Sequence, residues 1–329
     1  MTIRPAPRRR QLLCGSAALA ALATPARAML PGAVTLLVPG PEHGPLARWA
    51  ARLSEALVRG ATAAVSLQQN VLGGLDGVTA ANRFATMAAP DGRTLLVLPG
   101  AAAQARLVGE PRAHFDDTGW LPVCAVEGSA VLAGRGPPAQ GTAVRIALST
   151  ADSPEAAALL GLDLLGITAA PVLGLTSAQA EAALAQGQVD AIVLQGAELP
   201  ARLATLGARP WFTLDAAASR DPLLPETPAL PELATADAPQ ALAAFQAVAA
   251  AARLRAALVL PALTPANLVA LWRGAAQRWL EEERAGLPPG LRALSGVEAA
   301  PLLAALAPPP EAVLAYREWL LRRLNWRAG

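Results

Sequence analysis

Short apolar runs alternate with helical periods along this chain. Residues 34–38, Val-Thr-Leu-Leu-Val, form a β-branched, uninterrupted apolar run that reads as a strand buried on both faces. Residues 39–45 hold three prolines and two glycines, which cannot continue a ladder and turn the chain. Leu46, Trp49, Leu53 and Leu57 then recur at helical spacing, with Arg48, Arg52 and Glu55 on other faces and Pro45 suited to the first helical position. Strand, Gly/Pro loop and helix make one βα unit of an open parallel sheet. In such sheets ligands bind beyond the carboxyl ends of the strands, against helix N-termini.

The pattern repeats. It predicts strands over 63–69, 94–98, 120–126 and 130–133, and a Gly-rich connection at 70–77 leading into a helix that ends near 88. Residues 134–141, with Pro137 and Pro138, read as a crossing between lobes. A second block follows, with strands over 144–148, 171–175, 189–194 and 211–214, a helix that Ser153 caps and Pro154 opens, and another helix over 178–186. A last strand at 256–260 precedes a long helix from Thr264-Pro265 through Leu280, and two more helices lie over 297–306 and 310–324. The fold class is α/β, with a leader at 1–28, a first lobe of 29–134 with 228–329, and a second lobe of 135–227.

Composition changes the picture at the N-terminus. Residues 1–28 hold five arginines and no acid; of 27 basic residues, all arginine, this leaves 22 against 25 acidic ones, a net of −3. The body is mildly acidic with no basic stripe, which argues against a nucleic-acid partner. Arg8-Arg9-Arg10, the apolar run 12–23 and Ala26-Arg27-Ala28 have the form of an export signal cleaved after Ala28, by the twin-arginine or the general secretory route. The apolar run is too short to span a bilayer. The mature chain keeps only Cys124, within an apolar strand, where it serves as core packing. At 53% hydrophobic residues and a mean hydropathy of +0.36, the chain has material for a large core.

Several short motifs then fall in order. Val38-Pro39 precedes a Gly-containing loop, and Asn70 precedes Gly73-Gly74. Ala89-Pro90-Asp91-Gly92-Arg93-Thr94-Leu95-Leu96, Phe115-Asp116-Asp117 with Leu121-Pro122-Val123, and Gly187-Gln188-Val189-Asp190 follow. The segment 221–232 and Leu260-Pro261 with Thr264-Pro265 complete the set. In this order the motifs resemble the tripartite tricarboxylate transporter receptor family, the Bug or TctC-like periplasmic solute-binding proteins, from Val34 nearly to Leu280. The resemblance implies a type 2 periplasmic-binding-protein fold: two α/β lobes hinged about a cleft that holds a small solute, typically a carboxylate. It also implies a periplasmic location, membrane transporter subunits or a sensor as partners, and a monomer. The ligand loops depart from the family pattern. The first loop is short, with Glu42, His43 and Gly44 in place of a Gly/Ser/Thr run, and Ala156 stands where the family has a histidine.

Carried onto this chain, the pocket comprises Gly40, Glu42, His43 and Gly44 of the first loop and Pro99, Gly100 and Ala101 after the third strand. From the second lobe it takes Ser149, Thr150, Asp152 and Ser153, with Gln195 at a later strand end. With so few hydroxyls in the first lobe, the serines and Thr150 carry most side-chain hydrogen bonds, and Asp152 suits an ammonium or hydroxyl group. The plain alternatives are His43 as an exposed loop histidine, and Ser149, Thr150, Ser153 and Asp152 as capping residues. Trp272 and Trp279 read as core. Two histidines and one mature cysteine give no metal spacing, no cofactor motif appears, and no catalytic residue stands at a recognisable spacing. Two other readings stay open, a two-lobed hydrolase or isomerase and a diverged interaction protein without a solute.

Overall fold

A computed structural model describes residues 29–138, 142–216, 220–235 and 237–328. The leader and its cleavage site lie outside the described residues. From the N-terminus run β1 (Ala33–Pro39), α1 (Pro45–Gly60), β2 (Ser66–Leu72), α2 (Val78–Met87), β3 (Thr94–Leu98), α3 (Gly100–Val108) and β4 (Leu121–Gly128). Next come β5 (Ala130–Gly134), β6 (Val144–Leu148), α4 (Ala156–Leu164), β7 (Ala169–Leu173), α5 (Ser177–Ala185), β8 (Ala191–Gln195), α6 (Leu199–Leu206) and β9 (Arg209–Thr213). The chain ends with α7 (Leu230–Leu233), α8 (Pro239–Arg253), β10 (Leu254–Leu260), α9 (Ala266–Arg284), β11 (Leu291–Ser295), α10 (Ala300–Leu306) and α11 (Pro310–Leu324).

The strands form two sheets, ordered β11-β4-β10-β3-β1-β2 and β7-β6-β8-β5-β9. Each has a parallel trio whose first strand lies in the middle, flanked by one antiparallel strand: β10, which follows α8, in the first sheet, and β5, which follows β4 of the other sheet directly, in the second. The strand at 130–134 therefore does not belong to the first lobe as expected. It hydrogen-bonds on one side to β8 and on the other to β9, and the chain crosses at Gly128–Ser129.

Three further differences from the sequence reading have physical causes. The segment after β3 is helical from Gly100, because the Ala-rich run continuing from it has high helix propensity and no breaker. The helix after β6 starts at Ala156, not at Pro154; Ser153 does not cap it but donates its hydroxyl to the Thr150 carbonyl, and two tight turns precede the helix. The edge strand β7 begins two residues earlier than expected, with Pro171 inside it, which an edge strand tolerates.

The core matches the pattern where the pattern is strong. Trp272 and Trp279 of α9 are fully buried, and Trp279 meets Trp49 of α1 edge-to-face at 5.8 Å. Cys124 is buried in the same cluster, and burial pushes its thiol pKa up. A second cluster runs beneath both sheets, joining Leu96 and Leu98 to Leu132, Ile146 and Leu148 through the alanines of α8. Helix α8 packs on α3, α10 and α11 from one half and on α4 from the other.

Candidate functional site

The direction of the strands locates the candidate site. β1, β2 and β3 are parallel, β10 runs against β3, and β4 runs against β10, so the carboxyl ends of β3 and β4 lie on the same side as the start of β10. In the second sheet the last residue of β8, Gln195, pairs with Ala130 at the start of β5, one residue after the crossing. The carboxyl ends of both parallel trios thus converge on Gly128–Ser129.

On the first-lobe side three loops adjoin. A Cβ on Gly40 would stand 2.2 Å from the Gly73 carbonyl oxygen, and one on Gly77 would stand 2.5 Å from the Pro99 ring. Gly44 donates its N–H to the Pro41 carbonyl, closing the first turn, and the Arg48 guanidinium donates to the His43 carbonyl at 2.6 Å. Gly40 and Gly44 are buried, whereas Glu42 and His43 are exposed. Pro99 caps α3, and Gly100 and Ala101 form its first turn. Gly100 lies where a Cβ would be 2.0 Å from the Ala251 carbonyl oxygen, so the end of α8 covers the start of α3. Ala101 is exposed.

The second-lobe side is one loop, 149–155. Ser149 donates its hydroxyl to Glu155 Oε2 at 3.0 Å, and Ser153, buried, donates to the Thr150 carbonyl at 2.8 Å. Thr150 is exposed, and among the described residues its hydroxyl makes no hydrogen bond. The expected reliance on all three hydroxyls is therefore reduced, since two already serve the loop. Gln195 is half-buried, and its carbonyl accepts from Arg202 at 2.8 Å.

The two sides touch through Gln104 on α3, which sequence reasoning passed over. Its carboxamide nitrogen donates to the Asp152 carbonyl at 2.7 Å, while its oxygen is buried without a hydrogen-bond partner. An unpaired buried carbonyl oxygen costs on the order of 1–3 kcal/mol, so a donor supplied there by a solute would be rewarded. This bond brings the Pro99–Ala101 segment and the Ser149–Ser153 loop together.

Arg255 is the other residue the sequence reading missed. It occupies a register shift between β10 and β4, where Leu254 pairs with Glu127 and Ala256 with Val126, so it has no partner in the ladder. Such bulges re-aim side chains. Its guanidinium lies over Gly128, where a Cβ would be 2.7 Å from Nε, and beside Gly196, where a Cβ would be 3.8 Å from an Nη. Burial draws its pKa below the ordinary arginine value, and the charge of Glu155 in the second lobe opposes that shift.

The crossings themselves carry a buried ion network. Arg253, at the end of α8, pairs with Glu127 at 3.1 Å and with Asp215 beyond β9. Arg292 joins Glu127 from β11, with Nε at 2.8 Å, and Thr213 donates to Asp215 at 2.5 Å. Burial raises the Asp215 pKa, while Arg253 and Thr213 hold it down.

An apolar cavity of about 370 Å³ lies elsewhere, lined by Pro137, Leu162, Ile167, Trp211 and Leu233. It sits at the amino ends of β7 and β9, opposite the junction. Among the described residues no group of three acidic, histidine or cysteine side chains could hold a metal, and no helix is long and apolar enough to cross a membrane.

No protein-family model and no curated protein matches this chain. Solved structures do. A TctC solute binding protein from Polaromonas, with no ligand, aligns at a TM-score of 0.61 and 15% identity over 88% of this chain and 98% of that one. The periplasmic binding protein BugD aligns at 0.50 and 16% identity over 87% and 96%. Likeness at this identity speaks for the fold. The two-lobed α/β fold expected from the motifs is the fold of this chain, and it is shared with these periplasmic binding proteins.

Proposed function

We propose that this chain is an extracytoplasmic solute-binding protein that captures a small organic solute, a carboxylate or an amino acid, between its lobes. In this reading it is a monomer, exported to the periplasm and cleaved after Ala28, that serves tripartite tricarboxylate-type membrane subunits or a sensor. It is not an enzyme and needs no cofactor. One observation carries the proposal. The carboxyl ends of two parallel trios converge on a crossing where Gln104 ties one lobe to the other and leaves a buried oxygen unpaired. A cleft with few, converging polar groups at the ends of parallel strands is where small ligands bind.

The hydrogen bond from Ser149 to Glu155 favours one other reading, hydrolysis with a serine nucleophile. A carboxylate is a weak base for a serine hydroxyl, and no third group orients the pair. Binding is therefore preferred. The test is a thermal-shift screen of residues 29–329 against small carboxylates and amino acids, followed by calorimetry of each hit. One-to-one binding of an unaltered solute supports the proposal. Conversion of the hit, abolished by Ser149→Ala, would replace it with the hydrolytic reading.

A further inference from the structure

Resting on the solute-binding reading, we infer that Arg255 anchors the carboxylate of the solute, and that Glu155 opposite it restricts the solute to a monocarboxylate bearing a hydrogen-bond donor. Three independent placements converge on this. Arg255 is the residue that the β10–β4 register shift leaves out of the ladder, at the sheet end that faces the second lobe. Its guanidinium occupies space that only glycine leaves open at Gly128, directly before the crossing, and lies beside Gly196, directly after β8. Among the described residues it makes no hydrogen bond and no ion pair. The neighbouring Arg253, two residues earlier, is fully engaged with Glu127 and Asp215. One arginine thus holds the crossing together while the next keeps five donors free for a planar anion.

Glu155 supplies the second half of the selection. It lies on the second lobe at the start of α4, and Ser149 donates to one of its oxygens, which fixes the carboxylate toward the loop. A solute carboxylate placed on Arg255 brings its own charge near Glu155. A hydroxyl or ammonium on the solute turns that proximity into a hydrogen bond, whereas a second carboxylate turns it into repulsion. Closure of the lobes sets both contacts at once, because Arg255 and Glu155 come from opposite lobes.

The experiment is calorimetry on residues 29–329 with the twenty L-amino acids, lactate, propionate, succinate and malate. It compares wild type, Arg255→Gln, Arg255→Lys and Glu155→Gln, each checked for native circular dichroism and an unchanged melting transition. Wild type is expected to bind an amino acid or lactate in preference to succinate and malate. Arg255→Gln is expected to weaken that binding at least tenfold, with Arg255→Lys intermediate. Glu155→Gln is expected to weaken the donor-bearing ligand and to narrow its advantage over propionate and the dicarboxylates. Equal binding by Arg255→Gln, or a dicarboxylate preferred by wild type, overturns this inference and leaves the solute-binding reading in place. A wild type that binds none of the panel removes both.

Discussion

Replacing Arg253 by methionine should destabilise the whole protein, and the loss should depend on pH. Arg253 is 6% exposed and neutralises two carboxylates, Glu127 at 3.1 Å and Asp215, which belong to the two segments that cross between lobes. Methionine keeps much of the aliphatic volume and removes the charge. Glu127 retains Arg292, with Nε at 2.8 Å, but Asp215 keeps only the Thr213 hydroxyl among the described residues. Removing one partner of a buried pair typically costs about 3–5 kcal/mol. The remaining Arg292 places the expectation near the lower end, about 3 kcal/mol, which for a chain of this size corresponds to roughly 5 °C in melting temperature. Burial already raises the Asp215 pKa, and without Arg253 it rises further. A carboxyl whose folded pKa is raised favours the fold in its protonated form, so the variant loses stability as pH rises through that pKa. The gap to wild type should be narrow near pH 4 and widest at neutral pH. Urea unfolding followed by circular dichroism and tryptophan fluorescence gives the measurement, with coincident transitions required before a single free energy is quoted. Adding Asp215→Asn should recover part of the loss, with a coupling of about 1–3 kcal/mol between the two sites. A gap below about 1 kcal/mol at neutral pH, or one that does not change with pH, would refute the reasoning.

Asp117 makes a second pH test. Burial raises its carboxyl pKa to about 6 against the pull of Arg106, whose Nε lies 3.0 Å away. Its stabilising contribution is present below the unfolded carboxylate range and is lost as pH rises through about 6. Asp117→Asn should therefore gain on wild type between pH 4 and 7, by up to about 3 kcal/mol, and a difference that stays constant with pH would count against the assignment. Gly100→Ala sets two effects against each other. Helix propensity favours alanine by about 1 kcal/mol, but its Cβ would stand 2.0 Å from the Ala251 carbonyl, so a net loss of about 1–3 kcal/mol is expected in chemical denaturation. Export should yield a mature chain starting at Met29. N-terminal sequencing that finds Met1 on exported material would contradict the leader, and Arg9→Lys with Arg10→Lys should block export only by the twin-arginine route.

The strands and the amphipathic helices were legible in the sequence because their periodicity is carried by large side chains. The Leu46, Trp49, Leu53 stripe of α1 is one case, and the buried Trp272 and Trp279 of α9 are another. Helices α3 and α8 were not legible, because alanine fills fully buried and less buried positions alike and leaves no stripe to count. The crossing was misplaced by a few residues for a related reason. β5 is buried along its whole length and reads like any core strand, and only its pairing with β8 and β9 assigns it to the second sheet. At the site, the Ser149–Ser153 loop and the Pro99–Ala101 segment could be read from their places after strands. Arg255 could not, since its role follows from a one-residue register shift against β4 and from the space left by Gly128, both of which are tertiary facts. Gln104 left a faint trace, a single amide in an alanine run, and its bond to the Asp152 carbonyl spans 48 residues of sequence.

Small-angle scattering of residues 29–329, with and without a saturating solute from the thermal-shift screen, tests the central claim most directly. A solute held between the lobes bridges the Pro99–Ala101 and Ser149–Ser153 sides and favours the arrangement in which Gln104 reaches Asp152. The account predicts a fall in the radius of gyration on saturation, and the same fall should be lost when Arg255→Gln is titrated at equal concentration. Superimposable curves for the free and the saturated wild-type protein would contradict it.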